Sequence, residues 1–205
     1  MISMKFYDIL FSNLEILKGY VMKGRILATI VLCIATAITS IAAYAAGINP
    51  PVGNVAGAFA SIAVLIIVSK IIKVSDELFY SGLIFVFMAS PLGSVINLYR
   101  SFGPYDKIVH LISGFLLAAL GMLIMEKLMK NSSRRCDFYI YALPMIFGAC
   151  MFSSGCAGIW EIFEFLADKI AGGEMQRGMV DTVTDIIAGN VGALGYGIMA
   201  YFKRK

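Results

Sequence analysis

Charge is what this sequence has least of. Only 15% of its 205 residues are Asp, Glu, Lys or Arg, against about 25% in soluble domains. Apolar and aromatic residues make up 60%, and the mean hydropathy is +0.84. That balance excludes a cytosolic enzyme and a disordered chain. It also excludes a nucleic-acid binder, despite the net charge of +4. The single histidine, His110, rules out a zinc centre built on several imidazoles. The four cysteines show no pairing pattern. Cys33 and Cys150 fall in apolar runs, Cys136 in a connection and Cys156 near the end of a run, so all four read as small packing residues. No connection resembles a soluble domain, so residues 1–205 read as a single integral membrane domain.

What the chain has in quantity is long apolar runs. A spanning helix needs about 20 mostly apolar residues, and six runs qualify, at about 26–47, 54–72, 78–99, 108–125, 138–160 and 180–202. The runs are continuous rather than alternating, which argues against strands. The fold class expected is therefore all-α, a polytopic bundle of six transmembrane helices. Pro50-Pro51 and Gly103-Pro104 punctuate two connections. Pro91 and Pro144 fall inside spans, which is tolerable where neighbours satisfy the freed backbone groups. Ala43-Tyr44-Ala45 has the small residues of a cleavage site, but the apolar stretch before it exceeds the ~7–15 residues of a signal segment. It is read as a retained span.

Basic residues set the orientation. If the amino terminus is cytoplasmic, 13 of the 17 Lys and Arg residues lie on that side, leaving Arg100, Lys107, Lys169 and Arg177 outside. Both termini are then cytoplasmic, in a multi-pass protein of the cell membrane. Residues 1–24 form a cytoplasmic segment. Within it Phe6, Ile9, Leu10, Leu14 and Leu17 recur at helical spacing with charges between them, the pattern of an amphipathic helix lying on the membrane surface.

Acidic side chains are costly in hydrocarbon, so their placement is informative. They gather at the outer ends of the last three spans. One span opens with Asp106-Lys107-Ile108-Val109-His110, the next closes through Trp160-Glu161 to Glu164 and Asp168, and the last opens with Gln176-Arg177, Asp181 and Asp185, with Asn190 beyond. Residues three or four apart share a helix face, which pairs Asp106 with His110 and Asp181 with Asp185, and stacks Glu161, Glu164 and Asp168. There is also an echo between two spans: Asp106, His110, Gly114 and Ala118 recur as Asp181, Asp185, Gly189 and Ala193, at intervals of four. Such small-residue stripes permit close helix approach.

Carboxylates brought this close need protonation, a basic partner or a bound cation. Oxygen ligands with one imidazole suit Mg or Mn. Glu161, Glu164, Asp181 and Asp185 are the candidate metal ligands, Asp106, His110 and Glu164 the candidate catalytic groups, and Lys107, Gln176, Arg177 and Asn190 the candidate substrate contacts. A purely structural account stands beside this one, since polar side chains also hold membrane helices together, at about 0.6 kcal/mol per hydrogen bond.

At these residues the sequence resembles the VanZ-like membrane protein superfamily. Asp-Lys-x-x-His opens one span, and an acidic helix is followed by Gln-Arg-Gly, Asp-x-x-x-Asp, Asn and a Gly-Ala-rich span. The Trp-Glu-Ile-Phe-Glu-Phe run and Asp-Thr-x-x-Asp look closest to the YjdF-like inner-membrane proteins within that group. The resemblance covers about residues 100–200. It implies a place in the cell envelope, and for VanZ-like members an association with glycopeptide resistance. Glu164 and the connection bearing Gly172-Gly173 depart from simpler VanZ members.

Three functions remain open from the sequence. The first is a metal-dependent hydrolase or transferase acting on lipid or lipid-linked phosphate, with membrane lipids and an envelope substrate as partners. The second is a non-enzymatic binder or transporter of a cation or cationic envelope ligand. The third is an accessory envelope or antibiotic-resistance protein whose polar cluster locks three helices together.

Overall fold

In a computed structural model of the chain, all regular structure among the described residues is helical. The structure describes residues 2–129, 138–173 and 175–203, with side chains from 22 onward except at 138–141 and 171. Seven helices follow in order: α1 (Ile2–Ala45), α2 (Val52–Ile72), α3 (Asp76–Phe87), α4 (Leu98–Ser101), α5 (Tyr105–Met129), α6 (Phe138–Ala171) and α7 (Met179–Lys203). Six of them are long and apolar enough to cross a membrane, over Met22–Ala45, Val52–Ile72, Asp76–Val95, Tyr105–Met129, Ala142–Ile170 and Met179–Lys203. The six expected spans are all present. The expected amphipathic segment falls on residues 4–20, whose side chains lie outside the described ones.

In the last three spans bulky apolar residues face outward and many of the inward ones are small or polar. On α7, Val183, Ile187, Val191, Leu194 and Ile198 are exposed, while Asp185, Gly189, Gly192 and Ala193 are buried. Water would penalise that exterior; lipid does not.

The first three spans share one core, in which Leu32 of α1, Ile62 of α2 and Phe79, Leu83 and Val86 of α3 pack with Leu120 of α5. Buried hydroxyls need no distant partner, because Thr36 and Ser40 donate to the carbonyls of Leu32 and Thr36, both at 2.8 Å. At one end, Arg25 of α1 donates to Asp76 Oδ1 at 2.6 Å and to the Val74 carbonyl at 2.8 Å. Pro91 cannot continue an α-helical ladder, and α3 widens there into a π-helical segment, Met88–Val95. In that segment the Ile96 amide reaches back to the Pro91 carbonyl at 3.0 Å.

Tyr105, at the start of α5, donates its hydroxyl to the Met88 carbonyl at 2.7 Å and so ties this segment to the next span. Tyr105→Phe should therefore lower thermal stability by about 1 kcal/mol, read as a fall in melting temperature of the detergent-solubilised protein. An unchanged melting temperature would mean that the bond contributes nothing there.

The last three spans pack on one another along their lengths. α5 and α7 approach until backbone meets backbone: a Cβ on Gly114 would strike the Gly189 carbonyl, and one on Gly192 the Leu111 carbonyl. The two stripes that echo each other in sequence are the faces that meet. α6 seals the seam, with Ser153 donating to the Gly114 carbonyl at 2.8 Å, Ser154 to Asn190 Oδ1, and Cys150 Sγ to the Ala193 carbonyl at 3.4 Å. Because the axes are so close, short acidic side chains near the ends of these helices reach one another.

Candidate metal centre

The stripe that closes α5 on α7 continues toward the start of both helices as polar residues. Asp106, His110 and Asp185 are buried there, joined by Glu161 from α6. His110 Nε2 lies 3.5 Å from Asp106 Oδ1, 3.9 Å from Asp185 Oδ1 and 4.0 Å from Glu161 Oε1. Asp106, His110 and Asp185 can each offer one ligand atom, all within 4.8 Å of one another. Glu161 is 5% exposed, and its Oε1 has no hydrogen-bond partner. A buried carboxylate oxygen without a donor is costly.

Two cations lie over this group. Lys107 Nζ stands 2.7 Å from both Asp181 Oδ1 and Asp185 Oδ1, and 3.8 Å from Asp106 Oδ2. Arg177 comes from the connection between α6 and α7. It pairs with Asp106 Oδ2, approaches Asp181 Oδ2 with Nε at 3.3 Å and donates to the Tyr99 carbonyl at 3.0 Å. Partial burial opposes the charge on Arg177, but Asp106 and Asp181 outweigh it and raise its pKa, so the guanidinium stays ionised. Burial and then the Asp106 carboxylate push the Tyr99 hydroxyl well above its ordinary range. Tyr99 is thus neutral beside an anionic centre.

The connection that delivers Arg177 is itself fastened by an acid. Asp168 accepts the Met175 amide at 2.9 Å on Oδ1 and the Gln176 amide at 2.8 Å on Oδ2. Gly172 and Gly178 take φ of 70° and 105°, turning the chain where a side chain would be strained.

The remaining candidates sit outside the buried group. Glu164 accepts the Trp160 indole N–H at 2.8 Å on the same helix. Gln176 donates to Thr182 at 3.0 Å. Asn190 donates to the Ile186 carbonyl at 2.8 Å and accepts from Ser154. Asp181 serves the two cations rather than the imidazole. The structure thus draws Asp106, His110, Glu161 and Asp185 together, with Lys107, Asp181 and Arg177 around them. The Tyr99 carbonyl was not foreseen, since a backbone acceptor in a connection leaves no signature in the sequence. The Asp168 staple had a faint one, an acid four residues before Gly172 at a helix end.

These features define a class: an all-helical, polytopic membrane protein with a buried carboxylate–imidazole group between its last three spans. The chain belongs to the predicted membrane protein family DUF2238, which it matches over residues 14–205. It is also similar to an uncharacterized protein of Thermotoga maritima, 32% identical over 120 residues. That match spans 58% of this chain and 59% of the relative. No solved structure matches the chain.

Proposed function

We propose that the pocket is a divalent-cation site, for Mn or Mg, at the extracytoplasmic side of the cell membrane, serving chemistry on lipid or lipid-linked phosphate. One observation carries the reading. Three carboxylate oxygens surround His110 Nε2 at 3.5, 3.9 and 4.0 Å, too far for hydrogen bonds, and one of them, on Glu161, has no donor at all. Atoms about 2.0–2.2 Å from a shared ion stand about 3–4 Å from each other. Asp106, His110 and Asp185 are then the ligands. Glu161 Oε1, 4.0 Å from the imidazole, is a further donor beside them, and Glu164, one turn along α6, is the group available to move protons at the mouth.

The excess of basic residues on the opposite side supports cytoplasmic termini and an outward-facing pocket. The motif order from Asp106 to Asn190 that resembles VanZ-like and YjdF-like proteins supports an envelope role. One domain over residues 1–205 suits both.

The test is phosphate release from a lipid phosphate by purified protein, with and without Mn or Mg. Asp185→Asn should cost at least about a hundredfold in rate, together with Mn(II) retention. A variant that keeps full activity would sink the assignment. The second reading, a cation binder or transporter without turnover, is favoured by the pairing of Lys107 and Arg177 with carboxylates. Mn(II) retention by a protein that turns over no lipid phosphate would select it.

A further inference from the structure

We infer that Lys107 is the resident counter-ion of this pocket, and that an incoming divalent cation displaces its ammonium from Asp185. The inference rests on the cation reading above and concerns how the site is filled.

The argument lies in which oxygen each group uses. Asp106 divides its carboxylate: Oδ1 faces His110 at 3.5 Å, while Oδ2 holds Arg177. An ion between His110 and Asp106 can bind Oδ1 and leave Arg177 in place. Asp185 has no such division. Its Oδ1 is both the atom 2.7 Å from Lys107 Nζ and the atom 3.9 Å from His110 Nε2. An ion ligated there and an ammonium bonded there draw on one oxygen, and their like charges lie within about 5 Å of each other. Only one of them can hold it well.

Lys107 has somewhere to go. Its second partner, Asp181 Oδ1, is also 2.7 Å away, and its side chain is 33% exposed against 1% for Asp185. It can leave the buried oxygen, stay on Asp181 and turn toward the mouth. Glu161 supplies the independent pointer to an ion, since its buried, unpartnered Oε1 lies 4.0 Å from Nε2.

The charge balance then gives the freed ammonium a second role. With all four ionised, Asp106, Glu161, Asp181 and Asp185 outnumber Lys107 and Arg177, and without the ion the pocket then repels a phosphate. A divalent cation removes that excess and presents Lys107 at the mouth. Cation first and phosphate second is the order this arrangement imposes.

Mn(II) binding to the full chain in detergent, followed by the electron paramagnetic resonance signal of the free ion, separates the possibilities. Lys107→Met should tighten retention about ten- to hundredfold, the scale of one charge-assisted bond given up. Arg177→Met removes the same charge from Asp106 Oδ2 and should stay within about threefold of the unsubstituted protein. Lys107→Gln replaces Lys107→Met if the latter does not fold. Equal tightening in the lysine and arginine variants, or none in the lysine variant, would overturn the displacement while leaving the cation site standing. No Mn(II) retained by any of these proteins would sink the site and the displacement with it.

A second arm adds inorganic phosphate, or moves the protein into phosphatidylcholine nanodiscs with and without phosphatidic acid. Phosphate chemistry should tighten Mn(II) retention in the unsubstituted protein and not in Lys107→Met. A response to phosphatidic acid alone assigns the anion to a lipid head group, and a response to both assigns it to phosphate monoesters generally. An effect that survives in Lys107→Met would overturn the second role of the ammonium.

Discussion

A valine at Gly192 should leave little folded protein. Its Cβ would meet the Leu111 carbonyl and the Phe115 amide of α5, both backbone atoms that no rotamer change can move. Overpacking against side chains costs about 1–3 kcal/mol; here the cost should exceed about 3 kcal/mol, because the two helices must separate. Separation would also part Lys107 from Asp181 and Asp185, so loss of packing and loss of the site should arrive together. Gly195, three residues on along the same helix, has nothing within 4 Å of its would-be Cβ, and Gly195→Val serves as the control. Monodispersity in size-exclusion chromatography and thermal melting should fail for the first and hold for the second. A well-folded Gly192→Val protein would refute the close approach of α5 and α7.

Glu161→Gln should have two effects of opposite sign. Without added metal, the substitution replaces a buried carboxylate, one of whose oxygens lacks a donor, by a neutral side chain of the same shape. Removing one negative charge from beside Asp106 and Asp185, and placing amide hydrogens there, is worth about 1–3 kcal/mol, so the variant should melt higher than the unsubstituted protein. With Mn(II) present, the order should reverse. On the proposed cation site, the unsubstituted protein should gain stability from an ion bound only by its folded form, and the variant, short of one proposed donor, should gain little. Melting curves with and without Mn(II) check both halves. A variant less stable than the unsubstituted protein in the absence of metal would show that Glu161 is a structural partner whose loss is felt directly.

The spans were legible because hydropathy is a property of runs, and a bilayer reads runs. The Gly114 and Gly189 stripes were legible as faces of close approach, since small residues four apart mark a contact face, but not that the two meet each other. Proline at 91 announced a disturbance but not its form; widening into a π-helical segment depends on how Tyr105 and the neighbouring helices pack around it. Within the pocket, Asp106 lies beside His110 and Asp181 shares Lys107 with Asp185, as their spacing suggests, yet Glu164 turns to Trp160 while Glu161 turns inward. Both belong to one column of the same helix. Which of two carboxylates faces a neighbour is settled by a rotation of a few tens of degrees about the helix axis, and periodicity alone does not carry that precision. Nor could the sequence assign Lys107 and His110 to the same oxygen of Asp185, because that depends on rotamers from two helices.

The pairing of Lys107 with Asp181 and Asp185 also bears on how the protein is made. The most apolar 18-residue stretch of the last span, Met179–Lys203, has a mean hydropathy of 1.2, the lowest of the six. A segment bearing two carboxylates is a poor passenger for a bilayer on its own. Its cationic partner is carried by α5, which leaves the ribosome earlier, so the final helix emerges into a membrane where its neutralising charge is already waiting.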